Sequence, residues 1–174
     1  IFPKGYWKEK GEVLKVSRKP VTRAWTSNPS TGTSNSNDAL IAESKESIGF
    51  YIGFNITAQI EEEDATKFFY KYKKVPLSRI IDEQVRSMVQ TTFAEICSTM
   101  TLEEIQQSKK VIMAQIRYKV IPFFDKEGIT ITVLGMEGQI EYFSRDVQKS
   151  IDEVFQAKKD EEKAVIDNRR KEDE

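Results

Sequence analysis

A chain of 174 residues can bury one core and a helical appendage, but hardly two independent domains. With 39% hydrophobic and 32% charged residues it is globular, with charge to spare for an exposed helix, and a net charge of -1 leaves no bulk electrostatic case for nucleic acid. The absence of histidine and the presence of one cysteine, Cys97, exclude His-based acid–base catalysis, zinc sites of the usual kind and a disulfide framework, so neither a metal nor a cofactor is expected.

From Phe2 to Trp25 the apolar residues Val13, Leu14, Val16, Val21 and Trp25 are set among Lys15, Arg18, Lys19, Arg23 and further basic residues, with Pro3, Gly5, Gly11 and Pro20 as punctuation. That pattern predicts strand and hairpin. Phe2, Lys4, Tyr6, Trp7, Lys8 and Lys10 combine basic charge with interfacial aromatics, as a segment facing anionic lipid does; an ordinary solvated strand face reads equally well. Residues 27–38 are nearly all Ser, Thr, Asn, Gly and Pro, which predicts a mobile loop inserted in a hairpin.

Residues 39–44 and 48–60 read as strands, the second alternating Phe50, Ile52, Phe54, Ile56, Ala58 and Ile60 with polar or small neighbours. Asn55-Ile56-Thr57 matches a glycosylation acceptor but falls in mid-strand, where the match is fortuitous. After Glu61 the period changes to about 3.6: Ala65, Phe68, Phe69 and Tyr72 mark a short helix whose start carries Glu61, Glu62, Glu63 and Asp64, acids that suit the helix dipole.

Pro76 opens a longer helix, with Ile80, Ile81, Val85, Met88, Val89, Phe93, Ile96 and Cys97 on its apolar face over residues 77–98. Cys97 reads as an inert core thiol, since no imidazole exists to activate it. Thr101-Leu102-Glu103-Glu104 is a capping box that starts a further helix, carrying Leu102, Ile105, Val111, Ile112, Ile116 and Val120 and ending near Gly128, with a kink or an early end at Pro122.

Residues 129–133 form a strand, and Gly135 and Gly138 bracket an irregular piece. From Ser144 the chain is highly charged and helical in propensity, with Val147, Ile151, Val154, Phe155, Ala157, Ala164 and Val165 at helical spacings that thin out towards Glu174. A face so sparse does not fold well by itself, which makes Val147, Ile151, Val154 and Phe155 the candidate oligomerisation residues of a coiled coil or partner-bound helix. The division is thus a globular body over residues 1–143 and a helical segment over 144–174, in an α+β fold with an antiparallel or mixed sheet packed on amphipathic helices. No apolar stretch approaches the roughly 20 residues needed to span a bilayer. The chain opens on Ile1 without an initiator methionine, so any anchor is expected before it.

The run Leu77-Ser78-Arg79-Ile80-Ile81-Asp82-Glu83-Gln84-Val85-Arg86-Ser87-Met88-Val89, followed by Thr101-Leu102-Glu103-Glu104-Ile105, resembles the paired helices of the SPFH or band 7 superfamily, the stomatin, prohibitin and flotillin group. Gly128-Ile129-Thr130-Ile131-Thr132-Val133 is similar to that family's strand, and residues 140–164 resemble its closing charged helix. The tail beyond Lys158 is poorer in alanine than is usual there, and the 27–38 insertion is foreign to the domain core. The resemblance implies a non-enzymatic, membrane-associated scaffold with an anchor upstream and the domain in the cytoplasm. It implies assembly into homo-oligomers that organise lipids or regulate membrane protein complexes such as proteases. A soluble adaptor binding a protein through the charged helix is the alternative, and a hydrolase a lesser one, lacking an evident Ser-Lys constellation.

Overall fold

The structure is a computed structural model that describes residues 15–172; Phe2, Lys4, Tyr6, Trp7, Lys8 and Lys10 lie outside the described residues. Four strands, β1 (Val21–Trp25), β2 (Leu40–Glu43), β3 (Gly49–Gln59) and β4 (Thr130–Tyr142), form one antiparallel sheet. The expected α+β class is observed. Six α-helices accompany the strands among the described residues: α1 (Ala65–Tyr72), α2 (Leu77–Ile80), α3 (Arg86–Cys97), α4 (Leu102–Gln107), α5 (Lys109–Asp125) and α6 (Arg145–Glu172), with a π-helical segment, Ile81–Val85, joining α2 to α3.

β3 is central because it has partners on both edges. Phe54 is paired with Trp25 of β1 and with Met136 of β4, and Phe50 with Ala42 of β2 and Tyr142 of β4. β1 and β2 therefore lie end to end along one edge of β3 while β4 follows the other. The expected hairpin is not what forms: Trp25 is opposite Phe54 and Leu40 is opposite Ile52, so residues 26–39 leave and rejoin one edge across Gly53. The excursion folds onto its own backbone, with Thr33 N donating to Ala24 O (3.0 Å), Asp38 N to Thr26 O (3.0 Å) and Ala24 N to Thr33 Oγ1 (2.8 Å).

The alternation of β3 places Phe50, Ile52, Phe54, Ile56 and Ala58 on one face, all buried against the helices. Phe93 of α3 meets Phe50 and Phe54 edge-on, with centroids 6.1 and 5.2 Å apart. Ile80, Ile81, Val85, Val89 and Cys97 continue the same layer, and Cys97 is buried as its apolar context requires. Where one regular helix was expected over 77–98, the π-helical segment carries Ile81 and Val85 inward and leaves Asp82 outward, where it accepts hydrogen bonds from Arg23 Nε (3.1 and 3.0 Å) and Trp25 Nε1 (3.4 Å).

The capping box at Thr101 forms: Glu104 N donates to Thr101 Oγ1 (3.3 Å) and Thr101 N to Glu104 Oε2 (2.8 Å). The helix it opens is interrupted at Ser108 (φ −105°, ψ 19°), so α4 and α5 replace the single expected helix. α5 passes through Pro122 instead of stopping there; the N–H that proline lacks would have served the carbonyl of Tyr118, and both residues lie on the exposed side of the helix, where that carbonyl need not be buried without a donor. It ends in a Schellman arrangement, with Ile129 N donating to Phe124 O (3.0 Å), Gly128 N to Asp125 O (3.1 Å) and Gly128 at φ 84°. The four acids expected in the first turn of α1 instead lead up to it: Asp64 is the N-cap, paired with Lys67 (2.7 Å), and Glu62 meets Arg18 (3.1 Å).

β4 is longer than expected. It runs on past Gly135, which pairs in register with Asn55, and past Gly138, which sits at φ 81° in the bulge opposite the Tyr51–Gly53 step of β3; a second shift, opposite Thr57–Ala58, takes up Thr132. Val111, expected on the buried face of α5, points outward, while Ile112, Met113, Ile116, Val120 and Phe124 hold the inner face.

Candidate assembly surface

α6 follows directly on β4. Its 28 residues are dominated by Lys, Arg, Asp and Glu, and internal pairs at four-residue spacing run along it: Gln148 to Asp152 (2.9 and 3.0 Å), Gln156 to Asp160 (3.1 Å) and Lys149 to Glu153 (3.9 Å). Such pairs add a few tenths of a kcal/mol each to a helix that has little else to hold it.

Its first two turns lean on the body. Ile151 is half-buried and packs against the core, and a cleft of about 290 Å³ between α4, β4 and α6 is lined by Gln106, Gln139, Tyr142, Gln148 and Asp152. Gln106 Nε2 donates to Tyr142 Oη (2.9 Å). Burial pushes the Tyr142 phenol above its ordinary pKa; the Gln106 hydrogen bond opposes this and the negative charge of Asp152 adds to it.

Beyond Ile151 every described side chain up to Ile166 is exposed. Val147, Ile151, Val154 and Val165 fall on one stripe, since steps of four, three and eleven residues nearly close whole turns. Val154 is 56% exposed, and Val147 and Val165 are also open to solvent. Ile166 is exposed as well, but one residue beyond Val165 it stands about 100° round the helix, off the stripe. The side chain of Phe155 lies outside the described residues. The candidate residues are therefore divided: Ile151 is shared with the chain's own core, and Val147 and Val154 are free for a neighbour.

The chemistry elsewhere is sparse. Burial pushes the Cys97 thiol up to about 12, so it is protonated at any physiological pH. Among the described residues no group of His, Cys, Asp and Glu is arranged to hold a metal ion, and no helix is long and apolar enough to cross a membrane.

The family model described as SPFH domain / Band 7 family matches residues 23–173, nearly the whole of what has been described. No curated protein matches the chain. Domains of that family are membrane-associated scaffolds, generally without enzymatic activity and generally oligomeric.

Proposed function

We propose, since the chain belongs to the SPFH domain / Band 7 family, that it is a non-enzymatic scaffold domain that self-associates through α6 at a membrane surface. There it organises lipids or regulates membrane protein complexes such as proteases. The observation that carries this reading is the exposed stripe Val147, Val154 and Val165 on a helix that touches its own domain only near its start. A helix of this composition is unstable in isolation, and a second copy of the same stripe is the simplest cover, because matching a and d positions in two identical helices bury one another. An anchor before Ile1 on the cytoplasmic face of a membrane completes the reading, with Phe2, Lys4, Tyr6, Trp7, Lys8 and Lys10 lying next to it. Many weak lipid contacts held in one assembly add to strong avidity.

Light scattering on the eluted chain tests it. The wild type is expected to run as an oligomer and Val147→Asp/Val154→Asp as a monomer of unchanged core stability; an oligomer that survives both substitutions overturns the reading.

A further inference from the structure

α5 is apolar on both of its sides. Its inner face is buried in the core, whereas Val111, Ala114, Tyr118 and Pro122 follow one another at three- and four-residue steps along the outer face. Tyr118 is 85% exposed and Val111 56%. A surface helix ordinarily carries polar residues there. A contiguous apolar strip centred on an exposed aromatic ring marks an interaction surface.

The charges around the strip say what kind of partner fits. Helical spacing places Lys110 and Arg117 along one flank and Lys119 and Lys126 along the other, with Gln115 beside the strip and Asp125, the lone acid of α5, at its C-terminal end. Arg117 donates through Nε to Leu134 O (2.8 Å), and Lys119 reaches Glu95 (2.8 Å) in a pair exposed on both sides. Neither contact removes the charge from the surface: the first partner is a neutral carbonyl, and an exposed ion pair is weak. An apolar ridge between two basic flanks is complementary to a surface that is negative everywhere and apolar beneath, which is an anionic bilayer. A protein partner would have to match both flanks with acids and the ridge with an apolar groove.

We propose that the outer face of α5 is a lipid-contact surface that lies in the plane of an anionic membrane. Val111, Tyr118 and Pro122 enter the headgroup layer, and Lys110, Lys119 and Lys126 extend their stems towards the phosphates. The proposal rests on the membrane-scaffold reading but places the contact on the folded body, apart from the segment Phe2–Lys10 and from α6.

Cosedimentation of the whole chain with vesicles of phosphatidylcholine, with and without phosphatidylserine, tests it. The wild type is expected to bind only the vesicles that contain phosphatidylserine, and less at high salt. Lys110→Glu/Lys126→Glu should weaken binding by about fivefold or more per lysine, and Val111→Ser/Tyr118→Ser by a similar factor. All four positions are exposed, so the melting temperature should not move. Wild type that ignores phosphatidylserine overturns the proposal, as does unchanged binding by Val111→Ser/Tyr118→Ser. If that variant instead loses self-association while no vesicle is bound, the face serves a protein and the lipid assignment falls. If binding is lost only in Lys4→Glu/Lys8→Glu/Lys10→Glu, the membrane reading stands and the α5 surface is refuted. The oligomeric state, read separately by light scattering, judges the α6 reading whichever way the vesicles behave.

Discussion

The side-chain amide of Gln90 takes both backbone groups of Ile41: Ile41 N donates to Gln90 Oε1 (2.9 Å), and Gln90 Nε2 donates to Ile41 O. A glutamine on α3 thereby plays the part of a neighbouring strand at the outer edge of β2. The same edge is closed at β1 by the Thr33–Ala24 bonds, and Arg117 takes Leu134 O of β4. Free strand edges invite pairing with other chains, and side chains here occupy the groups that would do so.

Replacing Gln90 with leucine should therefore have two effects. Stability should fall by about 1–2 kcal/mol for two hydrogen bonds replaced by water, measured by urea unfolding. Thioflavin binding or turbidity on gentle heating should rise, because β2 is then open for strand addition. Loss of stability without a rise in aggregation would show that Gln90 only braces α3.

Gly128 should not tolerate a side chain. It sits at φ 84°, and a Cβ there would lie 3.0 Å from both Asp64 O and Phe68 N, backbone atoms that cannot swing aside. Gly128→Ala is expected to cost about 2–3 kcal/mol, combining the left-handed backbone with the clash. Gly138, with φ 81° and nothing within 4 Å of its Cβ position, should cost about 1 kcal/mol on the same change. The difference between the two denaturation midpoints measures the contact alone.

Cys97 should be silent to thiol reagents in the native chain. Its pKa, pushed up to about 12 by burial, leaves no thiolate at pH 8, and the sulfur is fully enclosed. Ellman's reagent should report no free thiol in buffer and one per chain in guanidinium; rapid native labelling would place Cys97 outside the core.

The capping box should show itself in acid. Hydrogen bonds from the Thr101 backbone N–H, first, and the Thr101 side chain hold the Glu104 carboxyl below its ordinary pKa. A carboxyl depressed by folding stabilises the fold above its unfolded pKa and loses that contribution as pH falls through the folded value. Glu104→Gln should therefore be less stable than wild type at pH 7, with the gap closing in the acid range below the ordinary glutamate pKa. A gap that does not depend on pH would assign the effect to packing.

The parts of the fold that were legible in the sequence are those whose cause is local. Thr101 and Glu104 announce their cap by spacing alone, and Phe50 to Ile60 announce β3 by strict alternation with one face buried. The π-helical segment was hidden because Ile80, Ile81 and Val85 fit a regular helix equally well; only the pull of Arg23 on Asp82, 59 residues away in sequence, comes with the wider turn. β4 reads as shorter because Gly135, Glu137, Gly138 and Gln139 break the alternation; Gly135 and Glu137 pair in register with Asn55 and Gly53 all the same, and the bulge that takes up Gly138 and Gln139 exists only opposite β3. Val111 is assigned inward by periodicity since α5 carries apolar residues on two opposite faces, and spacing cannot say which of the two meets the core. For α6 the stripe was readable from Val147, Ile151 and Val154, but the use of Ile151 by the body itself depends on where β4 delivers the helix.

The excursion of residues 26–39 departs beside Phe54 and returns beside Ile52, so only Gly53 separates its two feet along β3. For the sheet it amounts to an oversized bulge, and neither foot depends on how much chain lies between them. Lengthening or shortening the tip near Asn35 is thus invisible to the pairing of β1 and β2. A reporter peptide or protease site placed there would leave both α5 and α6 undisturbed while marking the domain inside an assembly.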